Sequence, residues 1–529
     1  MPPGPFLNSS GWSMDGLISR GSRFLKIPRI SVSDKNLEVT IHTHESLGVP
    51  LVIEGMHEHR AWPTTIFNTQ WLCENAQQHI QVRDVHNRCD LDVSFAEFMD
   101  HLESTEPYAS VDGQLFEIAR WYAKDMECPG EWKKWLETVS PVSHWLRPHG
   151  PADIMQNLPE GTRVETLMCY LGPGDTFTPF HKDLCASFGH NLMCYAKNGA
   201  SAFWFMTETS DAWTMAMYLQ SLGYELDLEE HAMSVKELAA APCRIYITEQ
   251  KAGDLVLVPP RSCHQVVNHG GLTMKMSWSR MTTNCAKIAL HHELPIYRRV
   301  CRAETYRVKS TIHHTLRRNT ALLEDLARTK GGSVGQCALQ SPDYGAFRKQ
   351  LANDVQASLE LFLEIIRDEY HPDAEVLGRV VNDFNHNTYD TGGYPGFICD
   401  FCGSDIFVSS FWCKDCSLPA ENSCGVSDGM HICPGCYAEG RSCRCGRLMD
   451  PVLCWPLRIL YADYNRAVRA LESIGVDKFR VIGDQLSQVL YFRPVATKVI
   501  SLVHSTRITD NGVMGLFEAA IQKWRMEIS

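Results

Sequence analysis

His181 and Asp183 stand two residues apart in TPFHKDLCASFGHN, a stretch that reads as a strand. Residues i and i+2 of a strand share a face, so an imidazole and a carboxylate there can meet one metal ion. A further imidazole, His264, follows a Pro-bounded turn in GDLVLVPPRSCHQVVNHG. Two histidines and one carboxylate leave three positions open on the metal, the donor set of non-haem Fe(II) centres. By itself H-x-D is a weak signal in a chain with 22 histidines. A hydrogen-bonded histidine beside a surface aspartate reads the same way.

A second group of chemical residues is sharper. Of 21 cysteines, ten fall between Cys399 and Cys454. They include CDFC, CKDC, CPGC and CRC, which pair Cys399 with Cys402, Cys413 with Cys416, Cys433 with Cys436 and Cys443 with Cys445. Eight thiolates are enough for two tetrahedral zinc ions. Isolated buried cysteines would pack as small hydrophobes, but that does not account for the pairing. The other eleven cysteines are scattered singly and are expected to be such core residues.

The chain that must position these groups has 529 residues, 44% apolar and 21% charged. It is too long for one core, and its composition is that of an ordinary globular protein. A net charge of -12 argues against a surface given over to nucleic acid. The beginning, MPPGPFLNSSG, lacks the pattern of a secretory signal, and no apolar run is long enough to cross a bilayer. Short apolar runs bounded by Gly and Pro, among them VPLVIEG, VETLMCYLGPG, NLMCYAKNGASAFWFM, GDLVLVPP and LTMKMSW, predict a mostly antiparallel sheet or barrel. Helical patches are expected at 93–104 and 232–241. From about Lys287 the apolar spacing turns helical, first in AKIALHHELPIYRRV and its continuation, then in AFRKQLANDVQASLELFLEIIRDEY.

FTPFHKD, the asparagine ten residues after the first histidine, AFWFM and GDLVLVPPRSCHQVVNHGG together resemble the JmjC family of 2-oxoglutarate-dependent oxygenases, over about residues 40 to 280. More narrowly, the chain looks like a fungal-type, lysine-demethylase-like JmjC protein with a helical extension and a zinc module. The resemblance implies a mixed α+β chain built on a double-stranded β-helix of the jelly-roll or cupin kind. It implies Fe(II) held by His181, Asp183 and His264, with 2-oxoglutarate as cosubstrate. Thr178 matches a hydroxyl on the cosubstrate carboxylate, Asn191 a cosubstrate-side amide, and Tyr170 a ring that helps enclose a methylated substrate nitrogen. The implied reaction oxidises an N-methyl group and releases formaldehyde and succinate.

The family also places a lysine opposite the far carboxylate of 2-oxoglutarate. When AFWFM is matched to the family's strand, that position falls on Ser201, which cannot offset a buried negative charge. Three responses stay open. In LTMKMSW, Thr273, Lys275 and Ser277 alternate with apolar residues, so Lys275 can supply the cation from another strand. Lys197 can fold in from the AKNG turn. Or the cosubstrate does not bind.

The order of cysteine pairs resembles ZZ-type and other cross-brace fingers. That likeness assigns Cys399, Cys402, Cys433 and Cys436 to one zinc, and Cys413, Cys416, Cys443 and Cys445 to the other. The usual last pair is histidine, so CRC departs from it, and Cys424, His431 and Cys454 are reserve ligands. The expected organisation is a loose tail to residue 35, a JmjC domain at 36–285, a helical region at 286–385, a zinc module at 395–450 and a helical region at 451–529. The implied job is histone lysine demethylation in the nucleus, with the finger binding chromatin proteins or a histone tail rather than DNA. No strong basic import signal stands out. A protein hydroxylase, or a non-catalytic chromatin-associated JmjC protein, would carry the same motifs.

Overall fold

The computed structural model describes residues 7–481, apart from 86, 105–107, 112–113, 118–119, 330–341, 370–378, 381–396, 414, 417–428, 444, 446–449, 454 and 456. It divides into two compact units: residues 1–153 with 165–285, and residues 154–164 with 286–529.

The first unit is built on strands. In chain order they are β1 (Phe24–Lys26), β2 (Arg29–Ser31), β3 (Leu51–Glu54), β4 (His79–Asp84), β5 (Cys89–Ser94), β6 (Tyr108–Val111), β7 (Gln114–Glu117) and β8 (Trp121–Glu127). They continue with β9 (Met168–Gly172), β10 (Phe177–His181), β11 (Phe188–Ala196) and β12 (Ser201–Met206). The last four are β13 (Ile245–Gln250), β14 (Leu255–Val258), β15 (His264–His269) and β16 (Thr273–Arg280). β6 and β7 form a hairpin of their own. The others make two sheets, ordered β1-β13-β12-β15-β10 and β2-β3-β14-β11-β16-β9-β8-β4-β5. Every pairing among β8 to β16 is antiparallel. This is the mostly antiparallel sheet expected from the apolar runs, in the jelly-roll-like arrangement that the family resemblance implies.

Strand alternation sorts the side chains into layers. Ala202, Trp204 and Met206 of β12 share one buried cluster with Met193, Val256, Val258 and Val266, so they face between the sheets. Phe203 and Phe205 turn the other way, against Leu17, Phe180, Met215 and Ile245. On the far side of the larger sheet, Leu192, Cys194, Met274, Met276 and Trp278 pack with Trp132, Trp135 and Phe98. Helices form at Phe95–Ser104 and at Val235–Ala240. A capping box between Ser234 and Glu237 starts the second of these.

The N-terminal segment is not a loose tail over its described part. Ser13 caps a helix at Met14–Ile18, β1 pairs with β13, and β2 pairs with β3. Leu17, Phe24 and Ile27 are buried. Its Pro, Gly and Ser residues suggested a tail, but a few well-spaced apolar side chains and long-range strand pairing decide its structure. Positions 1–6 lie outside the described residues.

In the second unit, helices at Val308–Thr329, Pro342–Glu369 and Leu457–Glu472 pack together. A small sheet joins β17 (Arg379–Val380), β18 (Ser409–Cys413), β19 (Met430–Ile432) and β20 (Asp450–Leu453). Phe407, from the cysteine segment, and Trp455 both stand edge-on to the buried ring of His313, which stacks on Phe362 of the second helix. Helical and cysteine-rich segments thus share a core. The helical expectation beyond residue 481 lies outside the described residues.

Candidate metal centre

β10 ends at His181 and β15 begins at His264, and the two residues are register partners. A register shift between Thr178 and His181 bends β10 there. The two imidazole rings lie 4.1 Å apart. Asp183 follows just past the strand, with its Oδ1 3.8 Å from Nε2 of His264. One ligand atom from each of His181, Asp183 and His264 lies within 4.8 Å of the others, a grouping that could hold a metal ion.

The local chemistry favours that use. Nδ1 of His181 contacts the Pro179 carbonyl at 2.8 Å, and Nδ1 of His264 contacts the Ser262 carbonyl at 2.9 Å. A carbonyl can only accept, so each Nδ1 carries the proton and each Nε2 presents a lone pair to the centre. Oδ2 of Asp183 is buried with no hydrogen-bond partner, an unfavourable state for a carboxylate that a cation would relieve. Gly189 makes the space, because a Cβ at that position would overlap Oδ2 of Asp183. Between the two ligands, Lys182 is buried and pairs with Asp227 at 3.2 Å.

A group of polar side chains lies along the same inner layer. Nζ of Lys275 donates to Oδ1 of Asn268 at 2.6 Å, and Oγ1 of Thr273 donates to the same oxygen at 3.0 Å. The Tyr122 hydroxyl faces Thr178 and Asn268. Burial pushes that hydroxyl up, so it stays neutral. Burial pulls the Lys275 ammonium down to about 7. Asn268 is the one hydrogen-bond partner of Lys275 among the described residues, so the ammonium keeps donors for an anion. Asn191 connects to the metal side through Gln250. The Gln250 amide donates to Oδ1 of Asn191 at 3.1 Å and accepts from Nε1 of Trp204 at 2.9 Å, and Trp204 stacks on His264.

Ser201 does not occupy the inward position that the sequence match gave it. It shares the outward face of β12 with Phe203 and Phe205, and its hydroxyl is buried without a partner. The inward residue is Ala202, directly opposite Asn268 in the ladder. A side chain at 202 would therefore reach toward the group that Lys275 contacts. The small alanine leaves that room, and the lysine enters from β16 instead. Lys197 sits exposed on the turn after β11 and does not reach inward.

Tyr170 lies on β9, in register with Lys275. On its other side a bulge in β8 sets Lys124 and Asp125 opposite this one residue, between the pairs Ala123↔Leu171 and Met126↔Cys169. Asp125 takes a left-handed φ of 56° and accepts a hydrogen bond from the Tyr170 hydroxyl at 2.6 Å. The sequence reading missed Tyr122, Asn268 and Asp125. A lone tyrosine in RWYAKD and an asparagine in VVNHGG carry no spacing signal. Only strand register brings them to Lys275 and Tyr170.

Residues 168–279 match the model described as JmjC domain, hydroxylase. The chain carries a JmjC domain. It is also similar to C-module-binding factor A of Dictyostelium discoideum, at 28% identity over 337 residues. That alignment covers 61% of this chain and 31% of the relative, so the chain spans about a third of that protein. The matched JmjC stretch contains His181, Asp183, His264, Asn268 and Lys275, whereas Tyr122 and Asp125 lie before it.

The eight paired cysteines assemble into two groups, Cys399, Cys402, Cys433 and Cys436, and Cys413, Cys416, Cys443 and Cys445. Within each group the sulfurs lie within 4.8 Å of one another, so each could hold a zinc ion. His431 belongs to neither group: it stacks on Phe397, and its Nδ1 contacts Oγ of Ser410 at 3.1 Å. Cys424 and Cys454 lie outside the described residues. No helix among the described residues is long and apolar enough to cross a membrane.

Proposed function

We propose that this chain is an Fe(II)- and 2-oxoglutarate-dependent oxygenase that demethylates lysine in a protein, with a histone tail as the substrate. The observation that carries the reading is the buried Lys275, which donates to Asn268 on the layer of His264, opposite the small inward-facing Ala202. A cation with donors to spare, buried between two sheets, is costly unless an anion meets it. Iron with 2-oxoglutarate supplies the oxidation of an otherwise inert C–H bond.

The protein's own residues bind and orient. His181, Asp183 and His264 would hold the metal. Lys275, Tyr122 and Thr178 would hold the cosubstrate carboxylate, and the Asn191–Gln250–Trp204 chain would keep the His264 ring in place. Tyr170 and Asp125 at the outer edge would receive a cationic nitrogen, through the ring face and the carboxylate. The cysteine-rich unit would bind chromatin proteins, and the site of action would be the nucleus.

Mass spectrometry of methylated histone peptides incubated with the protein, Fe(II), ascorbate and 2-oxoglutarate tests this reading, with His181→Ala as control. Loss of methyl mass supports demethylation, and gain of one oxygen points to a protein hydroxylase. If neither occurs and anaerobic titration gives no iron–cosubstrate absorption band, the domain is a binding scaffold and the oxygenase reading fails.

A further inference from the structure

The two cysteine groups have the same composition but different surroundings. In the first, Cys399, Cys402, Cys433 and Cys436 are all buried. Each sulfur has a donor: the backbone N–H of Cys433 for Cys399, the Ser404 hydroxyl for Cys402, the N–H of Cys436 for Cys433, and the Arg441 guanidinium for Cys436 at 2.9 Å. Arg441 also lies over the Phe401 ring, 4.1 Å from its centroid, which keeps the cation against the cluster. A charge-assisted bond draws electron density from sulfur and lowers its nucleophilicity. In the second group Cys445 is exposed and Cys416 half-buried. Cys445 lies 3.6 Å from Cys413 and 3.3 Å from Cys443, sulfur to sulfur.

We infer that the group of Cys413, Cys416, Cys443 and Cys445 is a modification site for hydroperoxides, with Cys445 as the reacting thiolate, whereas the group of Cys399, Cys402, Cys433 and Cys436 is protected. The inference rests on the reading that both groups hold zinc. The Cys445 thiolate attacks one peroxide oxygen, an S–O bond forms, the O–O bond breaks and hydroxide leaves. The Cys413 thiolate then attacks that sulfur, an S–S bond forms and the oxygen departs as a second hydroxide. The two thiolates give up two electrons, and the peroxide takes them up. Zinc keeps only Cys416 and Cys443 and leaves the site.

The test uses the full chain loaded with two zinc equivalents and treated with hydrogen peroxide, with zinc release followed by a chromogenic chelator. One zinc should leave at least about tenfold faster than the other, as expected for an exposed against a shielded thiolate. Mass mapping should then show a Cys413–Cys445 disulfide with Cys399, Cys402, Cys433 and Cys436 still reduced, and a dithiol with added zinc should reverse the change. Cys445→His keeps a zinc ligand but removes the thiolate, and should slow the fast release about tenfold or more. Arg441→Gln should speed the slow release alone, by about three- to tenfold. Simultaneous loss of both zincs, or prior oxidation of the buried group, overturns the inference. A chain that never binds two zincs overturns the zinc reading as well, and zinc content measured before peroxide is added separates the two failures.

Discussion

The cysteine groups and the His–Asp–His centre recruit their ligands in opposite ways. Each zinc-type group takes cysteines in close pairs, two or three residues apart, so half of its geometry is local. The other centre takes His181 and Asp183 from one strand end and His264 from another, and the sheet alone brings them together. In the second unit the cysteine segment shares a core with the helices, as the rings of His313, Phe362, Phe407 and Trp455 show. In the first unit a large apolar core stands independently of the metal ligands. Metal should therefore be a condition of folding in one region and a condition of function in the other.

Removing zinc breaks or sharpens that contrast most strongly. A strong chelator should lower the melting midpoint of the second unit by more than about 10 °C, since such metal groups supply folding energy directly. His181→Ala should move the midpoint of the first unit by less than about 2 °C while abolishing iron binding. Calorimetry with metal analysis checks both, and equal effects would erase the distinction.

Next comes the cosubstrate cation. Lys275→Ala should weaken 2-oxoglutarate binding about a hundredfold, the usual scale for stripping a buried charge of its partner. Adding Ala202→Lys to that variant should recover much of the loss, because position 202 faces Asn268 across the ladder. Titration calorimetry under anaerobic conditions reads both. The pH dependence has a defined sign. The Lys275 ammonium is held down to about 7 by burial. Only the protonated form meets a carboxylate, so below pH 7 binding needs no proton uptake. Above pH 7 the dissociation constant should rise about tenfold per unit, and Lys275→Ala should flatten that slope.

Smaller effects follow from the walls of the site. Gly189→Ala puts a methyl where Oδ2 of Asp183 lies and should weaken iron binding about tenfold with the fold intact. Asp125→Asn removes an exposed carboxylate beside Tyr170 and should lower kcat/KM for a methylated peptide about fivefold or less, in line with the modest worth of exposed charges. An unchanged value would remove Asp125 from substrate recognition.

Legibility in the sequence followed the range of the interactions. CDFC, CKDC and CPGC announce metal ligands because a knuckle needs its thiolates close in the chain. HKD and the later His264 announced a centre because an i, i+2 spacing suits two ligands of one metal, although β10 ends at His181 and Asp183 stands in extended backbone just beyond it. Ser201 faces outward and its neighbour Ala202 inward, because one residue along a strand moves the side chain to the opposite face. Asp125 could not be read at all, because a bulge breaks the parity that a sequence pattern assumes. The N-terminal strands were hidden for a similar reason, since three-residue strands carry no detectable alternation.

Residue types and short spacings by themselves determined which side chains could hold metal ions, that one part is mostly antiparallel sheet and another helical, and that a lysine alternating with apolar neighbours on LTMKMSW was available. Tertiary structure decided which faces meet. It turned Lys275 inward beside Asn268, left Ala202 as the space opposite, and sealed one cysteine group under Arg441 while leaving Cys445 at the surface. The physical reason is that donor identity belongs to the side chain, whereas burial, pairing and register belong to contacts between segments remote in the chain.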